Sequence, residues 1–121
     1  MIKHFVITRI GIGIYNKARL TKMIELFAAI TAPSLANQSS QNFTHLIVTD
    51  ASIPGECRDL LQSLLQGRPN AFLIAVDVTQ LTQVHVGSFD WIWDQCQQFI
   101  LENSLVENPN DYVTTSVLDA D

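Results

Sequence analysis

Short runs of β-branched and aromatic residues alternate with amphipathic stretches along the chain. That alternation constrains the fold more than any other feature of its 121 residues. His4-Phe5-Val6-Ile7-Thr8-Arg9-Ile10 has the length and residue types of a strand. From about Arg19 onward, Leu20, Ile24, Phe27, Ala28 and Leu35 recur at helical spacing. Pro33 is expected to kink or divide that helix, because it lacks an amide hydrogen and clashes with the preceding turn. After a polar turn at residues 37–42, Thr44-His45-Leu46-Ile47-Val48-Thr49 reads as a buried strand ending at Asp50. Pro54-Gly55-Glu56 opens a second helix with Leu60, Leu61, Leu64 and Leu65 as its apolar face, and Gly67 and Pro69 stop it. Residues 71–78 are apolar almost throughout and form a third strand. Asp90 or Ser88 is placed to cap a third helix that brings Ile92, Cys96, Phe99 and Ile100 onto one face. Asn108-Pro109-Asn110 makes a turn before a fourth strand at residues 112–118.

The order β-α-β-α-β-α-β places the chain in the α/β class, with a mostly parallel β-sheet flanked by helices on both faces. Ligands of such sheets bind beyond the carboxyl ends of the strands. Four segments qualify: residues 8–13, 50–54, 77–86 and 119–121. Three of them carry an aspartate, which favours a metal-and-phosphate chemistry over solvated loops.

The formal net charge of −5, with scattered basic residues, argues against a nucleic-acid partner, because phosphate backbones require clustered Lys and Arg. A hydrophobic content of 47% describes a folded chain that can bury a core. Cys57 and Cys96 are far apart, so neither zinc nor a disulfide framework is expected, and each reads as a small core hydrophobe. No apolar run reaches the ~18 residues of a transmembrane segment, and Arg9 and Lys17 interrupt any signal-peptide pattern. The expectation is a soluble cytoplasmic protein.

Several motifs compete for the chemistry. Gly11-Ile12-Gly13 follows the first strand, but a dinucleotide fingerprint needs Gly or Ala at position 16, which is Asn. Loop flexibility is the better reading of these glycines. No G-K-S/T phosphate loop, G-x-S-x-G elbow or paired Cys/His signature occurs, and His4, His45 and His85 are isolated. Asp50 ends a central strand at the ligand edge. It either accepts hydrogen bonds from a base or ribose, or caps the turn at Ala51-Ser52 or the start of the helix that follows. Asp119-Ala120-Asp121 follows the fourth strand. Two carboxylates so spaced suit Mg²⁺ or Mn²⁺ held against a pyrophosphate, since hard oxygens and substrate phosphates are the usual ligands of these ions.

Residues 33–52, Pro-Ser-Leu-Ala-Asn-Gln-Ser-Ser-Gln-Asn-Phe-Thr-His-Leu-Ile-Val-Thr-Asp-Ala-Ser, resemble the segment of GT-A glycosyltransferases that reads roughly S-L-x-N-Q-[ST]-x-x-N-F-E-x-I-V-V-D-D-G-S. His4 to Arg9, the first helix and the closing T-x-x-L-D-A-D resemble a bacterial rhamnosyltransferase family more closely still. The resemblance is strongest at residues 4–9, 33–52 and 112–121. It implies a Rossmann-like, GT-A nucleotide-binding half, with residues 1–121 as its nucleotide-sugar-binding N-terminal part, truncated at the D-x-D motif. It implies that Thr8 and Arg9 lie beside the nucleotide base and that Asp50 binds base or ribose. Asp119 would contact ribose or sugar, and Asp119 and Asp121 would hold Mn²⁺ or Mg²⁺. The implied partners are a nucleoside diphosphate sugar, with rhamnose a candidate for the sugar, and a saccharide acceptor. Such a piece is expected to be inactive alone and prone to self-association.

Two other readings fit the alternation. A nucleotidyltransferase also places carboxylates and metal on an α/β sheet, but it usually has a basic glycine-rich loop, and residues 10–15 contain no lysine. A flavodoxin-like or receiver-type interaction module has a similar length, and it predicts a further helix after the last strand.

Overall fold

A computed structural model of the chain describes residues 2–12, 16–77, 89–106, 108 and 111–117. Strands β1 (Ile2–Arg9), β2 (Thr44–Asp50), β3 (Ala71–Val76) and β4 (Tyr112–Val117) form one sheet in the order β3-β2-β1-β4. Every pairing is parallel. Helices α1 (Lys17–Leu26), α2 (Ala32–Ala36), α3 (Gly55–Leu64) and α4 (Phe89–Glu102) supply the connections. The expected α/β class, a parallel sheet flanked by helices in a Rossmann-like arrangement, is the one observed.

Connection hand and strand order together decide which helix covers which face. The chain steps from β1 to β2 to β3 in one direction, then returns past β1 to lay down β4 on its far side. Parallel crossovers are nearly always right-handed, so reversing the direction moves the connecting helix to the opposite face. The two cores agree. Ile10, Leu20, Ile24, Phe27, Ile47, Cys57, Leu61 and Leu65 pack together on the side of α1, α2 and α3. Phe5, Ile7, Leu46, Val48, Ile74 and Val76 pack against Ile92, Cys96 and Ile100 of α4 on the other. Successive residues of a strand point to opposite faces, so β2 divides its apolar residues between both cores and is buried from His45 to Asp50.

Local chemistry explains the helix boundaries. Asn16 caps α1 by accepting from the Arg19 amide at 3.0 Å. Pro33 divides the helix as expected, and does so by a specific device. Residues Phe27–Thr31 form a π-helical turn in which the Ala32 amide bonds back to the Phe27 carbonyl, and α2 begins with Pro33 in its first turn. A proline clashes with the carbonyl four residues before it, and widening that turn relieves the clash. Along α3 and its C-cap residue the buried stripe is Cys57, Leu61 and Leu65, four residues apart, with Leu64 packed against its edge. Leu60, expected in that face, is 37% exposed, because it lies one residue, about 100° of helix, away from the stripe. Asp90 falls inside α4 and therefore is not its cap, while Ser88 is outside the described residues. The Asp111 amide donates to the Asn108 carbonyl at 3.0 Å, while Pro109 and Asn110 of the expected turn lie outside the described residues. Leu118 and Val78, expected to end strands, also lie outside the described residues.

Candidate functional site

The strand order creates one place where the chain changes direction across the sheet. It lies between the carboxyl ends of β1 and β4, the position at which open α/β sheets bind their ligands. Register aligns Ile7 with Val117, so Thr8 and Arg9 stand one and two residues beyond the last paired position of β4. Asp119 and Asp121 lie outside the described residues, as does Gly13. Among the described residues no group of three or more His, Cys, Asp or Glu side chains is arranged to hold a metal.

Thr8 and Arg9 face opposite ways. Thr8 is buried on the α1–α3 side, where its hydroxyl lies 2.9 Å from His45 Nε2. The other ring nitrogen of His45 lies 3.4 Å from an Arg68 guanidinium nitrogen, and Phe27 packs over the ring with centroids 6.2 Å apart. A guanidinium can only donate, so Nδ1 is the acceptor and Nε2–H donates to Thr8. Burial, reinforced by the Arg68 charge, lowers the His45 pKa from 6.5 to about 4. His45 is held as a neutral core residue. It also means that the Thr8 hydroxyl is engaged inside the helical layer. His4 is likewise structural, 2.8 Å from the Ser116 hydroxyl across the β1–β4 pair, and His85 lies outside the described residues.

Arg9, half-buried, points to the α4 side. Its register partner is Val48, so Asp50, two residues farther along β2, projects from the same face. Asp50 is fully buried at the last position of β2. Its Oδ1 accepts the Ser52 amide at 2.9 Å, which is the turn-capping arrangement weighed for this residue. Its Oδ2 is buried and has no hydrogen-bond partner among the described residues. One carboxylate oxygen therefore shapes the loop, and the other is left with unsatisfied acceptor capacity at the ligand edge of the sheet. A buried polar atom without a partner costs about 1–3 kcal/mol, more when charged, so the arrangement has a defined chemical deficit: an N–H or O–H donor.

The surrounding loops are held tightly. Gly11 adopts φ +75°, and a Cβ there would come within 2.5 Å of Leu20 Cδ1. Its glycine is needed for backbone conformation and for the close passage under α1, a stricter role than loop flexibility. The Ile10 amide bonds the Val48 carbonyl at 2.9 Å, and the Ala51 amide bonds the Val76 carbonyl at 2.8 Å, extending the parallel ladders beyond the strands. Arg58 of α3 reaches back to donate to the Ala51 carbonyl at 2.6 Å. Lys17 and Glu56 tie the first turns of α1 and α3 together at 2.6 Å, the bond raising the lysine pKa and lowering that of the glutamate.

Arg58 and the Thr8–His45–Arg68 chain belong to none of the motifs legible in the sequence. Arg58 carried one legible signal: a cation in the first turn of a helix opposes the helix dipole and needs another reason to be there. Both cysteines are buried and free, and burial pushes the Cys96 thiol up to about 12, in keeping with a packing role. No helix among the described residues is long and apolar enough to cross a membrane.

A family model described as "Putative rhamnosyl transferase" matches residues 8–102, from Thr8 at the end of β1 through the last residue of α4. The match takes in Arg9, Asp50 and Arg58, and leaves β4 and the two terminal aspartates outside it. No curated protein and no solved structure matches the chain. The parallel sheet and a family match over most of the chain agree with one another, and the chain belongs to this rhamnosyl transferase family of glycosyltransferases.

Proposed function

We propose that the chain forms the nucleotide-sugar-binding part of a metal-dependent glycosyltransferase that moves a sugar, rhamnose in keeping with its family, from a nucleoside diphosphate to a saccharide acceptor. The observation that carries this reading is the Asp50 carboxylate. It is buried at the carboxyl edge of a central strand, with Oδ1 fixed by the Ser52 amide and Oδ2 lacking a donor. A ribose hydroxyl or a base N–H supplies that donor. Arg9, on the same face one strand nearer the switch point, contributes positive charge next to the same edge. Thr8 borders the site through its backbone, because its hydroxyl is committed to His45.

Asp119 and Asp121 would hold Mn²⁺ or Mg²⁺. Two carboxylates with an intervening residue are a donor set of the right hardness, and they follow the strand that completes the switch point. When bound, such an ion neutralises charge developing on the nucleoside diphosphate leaving group. The residues of the chain do the rest: Asp50 orients the nucleoside, Arg9 balances charge at the β1 end, and Gly11 lets the first loop pass close under α1.

Titration calorimetry with UDP, dTDP and GDP, each with and without Mn²⁺, tests the reading. Binding of at least one nucleotide is expected. Asp50→Asn should weaken it about tenfold, as loss of a buried charge-assisted hydrogen bond does. Asp121→Asn should remove the dependence on Mn²⁺. Absence of binding under every condition would refute the proposal.

A further inference from the structure

The loop that follows β2 is organised around a single peptide unit. The Ala51–Ser52 peptide presents its C=O to Arg58 and its N–H to Asp50. The Arg58 guanidinium donates to the Ala51 oxygen at 2.6 Å, and the Ser52 amide donates to Asp50 Oδ1 at 2.9 Å. The bond is trans, as all peptide bonds of the described residues are, so C=O and N–H point in opposite directions from one rigid plane. Whatever fixes the carbonyl fixes the amide, and through it the plane of the Asp50 carboxylate.

We infer that Arg58 is a positioning residue for nucleotide binding, acting through the Ala51–Ser52 peptide to aim Asp50 Oδ2 at its ligand. The inference rests on the nucleotide-binding role proposed for Asp50. Three further observations support it. The peptide groups on either side are held by other partners: the Ala51 amide bonds Val76, and the Asp50 carbonyl accepts the Ile53 amide at 3.2 Å, so Arg58 acts on the Ala51 carbonyl alone of these. Arg58 Nε is buried without an acceptor among the described residues, so the side chain gives up hydrogen bonding there to place its terminal nitrogen on Ala51. Its charge also lies in the first turn of α3, where the helix dipole disfavours a cation. Helix stability does not explain it, whereas a charged donor on a carbonyl polarises the peptide and strengthens the N–H bond to Asp50 at its other end.

The test compares Arg58→Met, Arg58→Lys and the wild-type chain by two readouts. The first is affinity for UDP, dTDP and GDP with Mn²⁺. The second is hydrogen exchange at the Ser52 amide, with Leu46 and Val48 as internal references. Arg58→Met should lower nucleotide affinity about tenfold and speed exchange at Ser52, while the reference amides keep their rates. Arg58→Lys, which restores one charged donor, should recover part of both. Equal affinity and equal Ser52 exchange in Arg58→Met and wild type would overturn the inference. Equal affinity alone, with a wild-type chain that binds nucleotide, would also overturn it, because the turn would then not govern the ligand. If the wild type binds none of the nucleotides, the proposed function falls by itself. Exchange at Ser52 then decides whether Arg58 fixes the Asp50 turn, with unchanged rates counting against it.

Discussion

Lowering the pH from 8 to 5 charges His45 in the unfolded chain while leaving it neutral in the folded one. The folded pKa is about 4 against an ordinary 6.5, because the ring is fully buried beneath Phe27 and faces the Arg68 guanidinium. The sign follows directly. Above pH 6.5 neither state binds the proton and His45 adds no pH dependence. As pH falls through 6.5 the unfolded state gains protonation free energy that the folded state does not share, so stability declines until pH reaches about 4. At pH 5 the unfolded ring is nearly all protonated and the folded ring is nearly all neutral, which amounts to about 2 kcal/mol lost relative to pH 8. That is a large part of the 5–15 kcal/mol typical of a domain. The assay is urea unfolding followed by circular dichroism at pH 8, 6.5 and 5 at constant ionic strength. His45→Gln is the comparison, because its amide nitrogen can still donate to Thr8 while carrying no titratable group. Wild type should lose about 2 kcal/mol more than His45→Gln between pH 8 and 5, with similar m-values. Parallel losses in the two proteins would refute the argument that burial holds His45 neutral.

Gly11→Ala should destabilise the chain by about 1–2 kcal/mol or more, since it adds a left-handed alanine and a clash with Leu20, and the urea midpoint measures it. Asp50→Asn should leave the urea midpoint at pH 7 unchanged or raised, because the neutral side chain keeps an oxygen for Ser52 and relieves a buried carboxylate; a loss above about 1 kcal/mol would make the carboxylate structural. Leu61→Ala, at the fully buried centre of the α1–α3 core, should cost about 2–5 kcal/mol, while Leu101→Ala, 73% exposed on α4, should stay within about 0.5 kcal/mol; thermal unfolding of the pair checks both.

The fold was legible where its cause is local. The middle of β2, Leu46 to Val48, is apolar on both faces because both faces are buried, and its residue types show this directly. Pro33 announced a break in the helix because the missing amide hydrogen acts within one turn. Leu60 falls outside the buried face because a helical stripe is about 100° wide and one residue shifts the direction by as much. The position of Asp50 at a strand end is legible in the sequence, and the turn cap it forms is visible only with the Ser52 amide in place. The role of Thr8 was harder to foresee. Alternation predicts that Thr8 and Arg9 face opposite sides, but only the packed helices show that the Thr8 side is closed and holds His45.

By itself the sequence determined the alternation of strands and helices, the apolar stripe of each helix and the aspartate at the end of β2. These depend on spacing and residue type over a few turns, where sterics and burial act locally. The tertiary structure decided that β4 returns beside β1, that Arg9 and Asp50 share a face, and that Arg58 reaches the peptide next to Asp50. Those relations join residues on separate elements. They are set by crossover hand, strand register and close packing, which no local pattern of residues encodes.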